Sequence, residues 1–364
     1  MKNPLPLPEP TPTQWDFSPV ADPAGTPEDL RRLVIPDPLD DHDLRRRIAR
    51  LGERFRVYAE TVPFGLWGEG LAISQEMRST TNLLIPQDEV RRAFRRLLGL
   101  SLTYTPSLDG TPLGTAVSWP DCLERLDPPF RERNPARLLA RLAVDGELRA
   151  RFIFALFVPR RHGADSNRYP AQGAFLRHWL GRTAARHGQP LRFLDAACGA
   201  GEGTYGLARL LKETGLTSEN LRITGASRDP LEIFAAAHGF FPHDPPRQGA
   251  ARRLMKELRA TGHLGRIRFT VADLTADASG NETFDVILCN GILGGPFMHE
   301  RHTLERVVAG LANRLAAGGI ILAADRFHGG WKQVAPPGLL GEILTGKGLS
   351  VVTAGEGIAG IRVG

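Results

Sequence analysis

Cysteine and lysine are scarce in this sequence, and it has no long apolar run. The three cysteines, Cys122, Cys198 and Cys289, are far apart and odd in number. They therefore indicate neither a disulfide framework nor the spacing of a metal site. No apolar run approaches the roughly 20 residues of a membrane span, and the first residues do not read as a secretory signal. These absences predict a reduced, cytoplasmic protein that binds neither a membrane nor a metal.

Basic residues outnumber acidic ones, and nearly all of them are arginine. Only five of the 46 basic residues are lysine, and the formal net charge is +6. Such an excess can mark a nucleic-acid surface. Here the arginines are spread through helical patterns with acids between them, and no basic patch is interleaved with aromatic residues. We attribute the arginine content to compositional bias and expect no nucleic-acid partner.

Three regions of the chain differ in pattern. Residues 1–36 are rich in proline and are predicted to form an extended or disordered arm, with Trp15 and Phe17 as its anchors on a domain surface. Residues 37–165 show the apolar periodicity of several helices and are predicted to form a mostly helical N-terminal domain, in which we identify no chemical motif. Residues 166–364 alternate strand and helix patterns, which predicts an α/β domain.

The most informative stretch of the third region is Leu191–Tyr205. Its first four residues are an apolar run typical of a buried parallel strand, which ends at Asp195. A glycine-rich loop follows, where the backbone can turn sharply and a ligand can come close. Helical spacing begins at Thr204. A strand, an acid, a glycine-rich loop and a helix in this order bind nucleotide-like cofactors in doubly wound folds.

The spacing within this stretch narrows the choice of cofactor. A dinucleotide fingerprint has its acid about 20 residues after the glycine loop, whereas here the order is Asp195-x-Ala197-x-Gly199-x-Gly201. This order resembles motif I of the class I S-adenosylmethionine (SAM) methyltransferases, with Ala197 in place of the first glycine. The resemblance implies SAM as the cofactor, a loop that packs against its methionine end, and an acid that helps to bind its ammonium group.

The later strands extend the resemblance to the whole third region. Strands are predicted at 191–194, 221–226, 266–272, 283–289, 319–324, 349–353 and 358–363. The last two can form a closing antiparallel pair, whereas a domain that binds NAD usually has six parallel strands. The pattern resembles the class I methyltransferase fold, a Rossmann-like, seven-stranded mixed sheet with helices on both faces.

Cofactor contacts are expected where the strands end, because ligands of open α/β sheets bind outside the carboxyl ends of the strands. After the second strand, Ser227 stands where an acid for the ribose hydroxyls is expected. Asp229, two residues later, either reaches the ribose or caps its own helix. After the third strand, Asp273 is expected to accept from the adenine amino group and Leu274 to donate its backbone amide. A strand-end acid in a turn is the alternative for Asp273.

Three segments resemble one branch of these enzymes, the chemotaxis receptor glutamate methyltransferases (CheR type). They are Gly201–Ala208, Ala236–Phe240 and Phe284–Asn290, within a resemblance that covers about 166–325. It implies that Glu202, Asp229 or Ser227, and Asn290 face SAM.

The chain departs from that branch around the acceptor site. The T-x-F-F-R element of the branch corresponds here to Ser166–Pro170, with Pro170 at the arginine position. Gly295 stands at the position of a tyrosine. A predicted helix, Gln248–Ala260, fills the place of the small β-subdomain that docks the receptor, so no receptor-docking insert is evident.

The catalytic residues are left open by the sequence. The methyl group of SAM is already activated, and positioning supplies most of the rate. A general base is needed only if the acceptor loses a proton. Tyr205, His299, Asp325 and His328 are the candidates for that base.

The favoured function is SAM-dependent methyl transfer to a protein carboxylate or a small molecule. Ala197 and Ser227, at the places of a glycine and an acid, motivate a first alternative, a catalytically degenerate binding or regulatory protein. An NAD-dependent oxidoreductase is the second. The position of Asp195 and the C-terminal strand pair argue against it.

Overall fold

The computed structural model describes residues 15–22, 26–62, 70, 72–160, 166–183, 190–276, 282–326 and 332–363. They divide into two compact units. The sheet unit comprises the described residues of Met1–Ala21, His162–His238 and Arg252–Gly364, and the helical unit those of Asp22–Arg161 and Gly239–Ala251. Relative to the predicted boundaries, the proline-rich arm is divided between the units, and a segment after residue 238 joins the helical one. Residues 1–14 and 23–25 of the arm lie outside the described residues.

The helical unit contains eight helices among its described residues. They are α1 (Thr26–Arg31), α2 (His42–Thr61), α3 (Gln75–Leu84), α4 (Gln87–Ser101), α5 (Pro112–Thr115), α6 (Trp119–Arg125), α7 (Pro135–Val144) and α8 (Gly146–Phe157). Asp41 caps α2, because its carboxylate accepts from the amide of Leu44 at 2.7 Å. The sequence indicated no helix at α3, which is rich in residues of low helix propensity. It begins at Ser74, whose hydroxyl caps the amide of Met77.

A buried arginine ties the helical unit together. Arg149 of α8 has no exposed surface, and its guanidinium donates to the carbonyl oxygens of Leu142 (2.8 Å), Ala143 (3.3 Å), Ile35 (2.9 Å) and Asp37 (2.6 Å). Burial lowers the pKa of Arg149. One side chain thus satisfies the end of α7 and the strand-like segment before α2 at the same time.

The segment 239–251 packs with α8 of the helical unit. Phe240 meets Phe154 edge to face, with ring centroids 5.1 Å apart. The guanidinium of Arg247 lies 4.0 Å from the ring centre of Phe241 and donates to the carbonyl oxygen of Val158 at 3.0 Å. These contacts explain why this segment groups with the helices and not with the sheet that precedes it in the chain.

The sheet unit is built on one mixed sheet. Its strands are β1 (Asp16–Phe17), β2 (Leu191–Asp195), β3 (Leu221–Ser227), β4 (Ile267–Val271), β5 (Phe284–Leu288), β6 (Leu315–Ala323), β7 (Leu349–Ala354) and β8 (Gly357–Arg362). Their order is β1-β4-β3-β2-β5-β6-β8-β7. Strands β2 to β6 are parallel, whereas β1, β7 and β8 are antiparallel to their neighbours. The predicted α/β class, Rossmann-like mixed sheet and closing antiparallel pair are confirmed.

The sheet has one strand more than the seven predicted, because part of the proline-rich arm pairs with its edge. Asp16 and Phe17 lie opposite Thr270 and Phe269 of β4. Phe17 is buried and meets Phe234 edge to face at 5.9 Å. Two residues are too few to show an alternating pattern, so this strand has no signal in the sequence.

Helices follow the strands as the alternation predicted. They are α9 (Pro170–Thr183), α10 (Glu202–Glu213), α11 (Pro230–His238), α12 (Pro245–Ala260), α13 (Arg301–Asn313) and α14 (Leu339–Gly346), the first two turns of α12 belonging to the helical unit. The chain moves outward from β2 to β3 and β4, then returns to β5 on the other side of β2. The crevice of this fold opens at that reversal, above the carboxyl ends of β2 and β5. Among the described helices, none is long and apolar enough to span a bilayer.

Candidate functional site

The glycine-rich loop connects β2 to α10 at the reversal of the strand order. Gly201 has a φ of 89°, and a Cβ there would lie 2.8 Å from the Cβ of Ala236 in α11. Gly199 has a φ of 52°, and a Cβ there would meet no atom within 4 Å. Gly201 is therefore required by its backbone angle and its close packing, whereas Gly199 borders open space that a ligand can approach.

Asp195 ends β2 beneath this loop. It is 8% exposed, and its Oδ2 accepts from the hydroxyl of Thr204 at 2.7 Å. Burial raises the pKa of Asp195 to about 6, and the hydrogen bonds from Thr204 and from the amide of Ala197 oppose that rise. The carboxylate is thus ionised at neutral pH in a site of low polarity, where a cationic group of a ligand would stabilise it.

A serine and a buried glutamate meet at the end of β3. The hydroxyl of Ser227 donates to Oε2 of Glu232 at 2.6 Å, and Glu232 is 6% exposed. Asp229 caps α11, since its Oδ1 accepts from the amide of Leu231 at 2.9 Å. This hydrogen bond is the one expected from the alternative in which Asp229 caps its own helix. Glu232 was not among the predicted site residues. Its only signal in the sequence is an acid inside an otherwise apolar helix.

The thiol of Cys198 in the glycine loop is affected by several carboxylates. Burial raises the pKa of this thiol well above the ordinary value, and the charges of Asp195, Glu232 and Glu202 raise it further. These charges come from three elements, β2, α11 and α10. Cys289, at the end of β5, is likewise buried, and burial raises its pKa. Both thiols are packing groups, because a nucleophilic cysteine needs a lowered pKa.

Asp273 lies after β4 in a tight turn. Its Oδ1 accepts from the amide of Thr275 at 2.8 Å and from the hydroxyl of the same residue at 2.7 Å. This oxygen therefore has the role expected of a strand-end acid in a turn, which was the alternative for Asp273. Leu274 beside it is partly buried against the core of the sheet unit. The adenine contacts of these two residues stay a prediction.

Asn290 follows β5 and links three elements. Its Oδ1 accepts from the amide of Ala324 at 2.8 Å and from Nε2 of Gln172 at 3.1 Å. Its Nδ2 donates to Oε1 of Gln172 at 2.7 Å. These contacts fix the orientation of the amide and commit one of its two hydrogens. Gln172 is 3% exposed and lies on α9. The sequence offered no signal for it, because the pairing spans over a hundred residues.

An arginine and a tyrosine at the start of α9 lie beside the same loop. A Cβ on Gly291 would be 3.6 Å from Nη1 of Arg168 and 3.7 Å from the hydroxyl of Tyr169. The guanidinium lies 5.2 Å from the tyrosine ring centre. Burial raises the pKa of Tyr169. The carboxylate of Glu356, in the turn between β7 and β8, accepts from the first amides of α9 and so anchors this helix end.

The four candidates for a general base are placed very differently. Tyr205 is buried, its hydroxyl donates to the carbonyl oxygen of Ala236 at 2.7 Å, and burial raises its pKa well above the ordinary value. The structure therefore argues against Tyr205 as a base. His299 lies before α13 with its Nε2 3.4 Å from a carboxylate oxygen of Glu300. His328 lies outside the described residues.

Asp325 is the remaining candidate. It follows β6, next to Ala324, whose amide binds Asn290. Burial raises the pKa of Asp325, and its Oδ1 has no hydrogen-bond partner among the described residues. Asp325 thus places a carboxylate of increased basicity at the carboxyl end of the sheet, where Asn290 also lies.

The central part of this chain matches one family model. Residues 168–325 match the family described as "CheR methyltransferase, SAM binding domain". This range holds the glycine loop, the ends of β2 to β6 and all the predicted cofactor contacts. It has a Rossmann-like fold and resembles the SAM-binding domain of the CheR-type methyltransferases, and its cofactor is SAM. No curated protein gives a match to the chain.

Several methyltransferases are among the solved structures that are similar to part of this chain. The N-methyltransferase NodS from Bradyrhizobium japonicum is 18% identical, with a TM-score of 0.35, over 54% of this chain and 96% of its own. An amino pentose methyltransferase from Micromonospora echinaspora with bound SAM is 14% identical, with a TM-score of 0.35, over 53% and 92%. A TehB-like SAM-dependent methyltransferase from Corynebacterium glutamicum is 18% identical, with a TM-score of 0.33, over 53% and 86%.

Proposed function

We propose that this protein transfers a methyl group from SAM to a nucleophilic acceptor. The observation that carries the proposal is the glycine loop over the buried carboxylate of Asp195, at the reversal of the strand order and within the range 168–325. The groups at this place match the functional groups of SAM. A negative charge in a nonpolar site matches the ammonium of the methionine end, and the open space beside Gly199 admits a ligand backbone.

The other predicted contacts complete this arrangement. The loop through Ala197, Gly199 and Gly201 borders the methionine end, with Glu202 at the start of α10. Ser227 and Asp229 lie at the ribose, Asp273 and Leu274 at the adenine, and Asn290 beneath the cofactor. The support for this assignment is their common position at the carboxyl ends of β2 to β5.

The acceptor site in this proposal lies at the carboxyl ends of β5 and β6, next to the loop after β5. Arg168 and Tyr169 lie beside Gly291 there, and Asp325 ends the next strand. A guanidinium at this place favours an acceptor that carries a negative charge, such as a protein carboxylate or a small acid. No nucleic-acid, membrane or receptor-docking partner is part of the proposal. Arginines of the helical unit pair with acids, as Arg47 does with Asp43 at 2.7 Å.

Methyl transfer from SAM needs little chemical catalysis by the protein itself. SAM supplies a methyl group on a positively charged sulfur, so the acceptor atom forms a bond to carbon as the carbon–sulfur bond breaks. Arg168 would hold the acceptor, and Asn290 would hold the loop in place. Asp325 would take a proton only from an acceptor that carries one. Three buried, free thiols are in keeping with a reducing, cytoplasmic setting.

Calorimetric titration of the full chain with SAM and S-adenosylhomocysteine tests the cofactor. Absence of binding up to about 1 mM, with the protein folded, would refute the proposal. Transfer of labelled methyl to glutamate-containing peptides and to small carboxylic acids tests the activity. Arg168→Gln should raise the KM for the acceptor, whereas Arg177→Gln, an exposed position on the same helix, should not. Cofactor binding without transfer across the panel would favour the degenerate binding protein.

A further inference from the structure

The end of β3 carries a serine where doubly wound folds place a ribose-binding acid. In such folds an acid about 20 residues after the glycine loop accepts hydrogen bonds from ribose hydroxyls. Two oxygens of one carboxylate suit a vicinal diol, because both diol hydroxyls can then donate. Ser227 has a single oxygen, which can either donate or accept. A lone serine is therefore a poor substitute, and its hydrogen-bond partner decides what it can do.

That partner is a buried carboxylate behind the serine. The hydroxyl of Ser227 donates to Oε2 of Glu232 at 2.6 Å, and Glu232 is 6% exposed. Every residue of α11 is buried, so this acid lies within the body of the sheet unit. Glu232 also acts electrostatically on the thiol of Cys198 in the glycine loop. The carboxylate thus lies at the cofactor side of β3, behind the strand end.

The hydrogen bond commits the only proton of the serine. With its proton held by Glu232, the Ser227 oxygen offers only lone pairs elsewhere, and the nearby carboxylate polarises the hydroxyl and increases its strength as an acceptor. One of these lone pairs already faces the amide of Asp229 at the long distance of 3.4 Å. We infer that Ser227 and Glu232 act as a pair that recognises the ribose hydroxyls of the cofactor, with Ser227 as the contact and Glu232 as its positioning residue.

This inference rests on the proposed function and reassigns one part of it. Asp229 was the other candidate for the ribose, but its Oδ1 caps the amide of Leu231 at 2.9 Å. The pair also differs from a mere packing contact in one respect. A packing contact would stabilise the fold without regard to the ligand, whereas the pair should distinguish ligands with and without ribose hydroxyls.

The experiment compares S-adenosylhomocysteine with its 2′-deoxy and 3′-deoxy analogues by calorimetric titration. The wild type should lose about three- to tenfold in affinity for at least one analogue, the range of one hydrogen bond. Ser227→Ala should bind the parent ligand weaker by the same factor and show no further loss with the analogues. Glu232→Gln should show the same reduced discrimination, because an amide can donate to the serine and release its proton toward the ligand.

A rescue and a matched control complete the design. The double variant Ser227→Asp with Glu232→Gln restores a carboxylate at the strand end beside a neutral partner, and it should regain both affinity and discrimination. Arg222→Gln, at an exposed position of β3, is the matched control and should keep the discrimination of the wild type. Circular dichroism checks that each variant is folded. If Glu232→Gln fails to fold, Ser227→Ala and the double variant still decide.

Two outcomes would overturn the inference. They are a wild type that binds all three ligands equally and a Ser227→Ala protein that keeps the full discrimination. A wild type that binds none of the ligands would instead refute the proposed function, and the inference with it. The two failures are therefore distinguishable within one set of titrations.

Discussion

Replacing Asp195 by asparagine should stabilise the fold at neutral pH while it weakens cofactor binding. Burial raises the pKa of this carboxyl group from 3.8 to about 6. Between these two pH values the folded protein holds a proton that the unfolded chain releases. Its free energy of unfolding therefore falls as the pH rises through this window. Asparagine has no such titration.

The shift in pKa sets the size of the effect. A rise of about two pH units corresponds to about 3 kcal/mol. Below pH 3.8 the buried group is protonated in both states and costs nothing, whereas above about pH 6 the whole cost acts on the wild type. A change in the hydrogen bonds from Thr204 and Ala197 contributes equally at every pH, because asparagine does not titrate. The gap between variant and wild type should thus grow by about 3 kcal/mol between pH 4 and pH 7.

Urea unfolding of both proteins at several pH values measures this gap. Glu213→Gln, an exposed carboxylate on α10, is the control and should leave the pH profile unchanged. A gap that is constant or shrinks toward neutral pH would refute the reasoning from burial. In titrations at pH 7, Asp195→Asn should bind SAM about tenfold or more weakly, a loss of at least 1.4 kcal/mol. Its affinity for 5′-methylthioadenosine should be unchanged, because this ligand lacks the ammonium group.

Three further predictions concern packing and the choice of base. Gly201→Ala should lower the free energy of unfolding by about 2 kcal/mol or more, because of its positive φ and the 2.8 Å approach to α11; Gly265→Ala, with open space around it, is the control for denaturant unfolding. Arg149→Met should destabilise the helical unit by about 3 kcal/mol, since it removes the guanidinium that donates to four carbonyl groups; hydrogen exchange of α7 and α8 should rise, but not in the exposed variant Arg141→Met. Tyr205→Phe should reduce stability by about 1 kcal/mol and leave the pH dependence of methyl transfer unchanged. If the variant instead loses a rise in the rate of methyl transfer with increasing pH, Tyr205 is restored as a base.

Local patterns predicted the parts of this protein that are built from neighbouring residues. The helix Pro230–His238 has a local signal at each end, because proline begins it and glycine follows it. The loop after Asp195 was located by its glycines, and the positive φ angles of Gly199 and Gly201 explain why glycine is needed there. Each of these features depends on backbone preferences within a few residues.

Long-range pairings had no such signal. Gln172 and Asn290 bond to each other across 118 positions in the sequence. The strand Asp16–Phe17 forms by pairing with β4, which is far away in the sequence. None of these contacts changes a local pattern, so no window of the sequence could reveal them.

By itself, the sequence determined the alternation of strands and helices and the place of the cofactor loop. These follow from periodicity and from glycine, which act locally, whereas the kind of cofactor was implied by a family resemblance. Only the tertiary structure decided which side chains meet at the ends of the strands. It buried the hydroxyl of Tyr205 against Ala236, used Asp229 as a helix cap, and placed Glu232 behind Ser227. The reason is physical: a side chain's charge and hydrogen-bonding role depend on burial and partners that only the folded chain brings together.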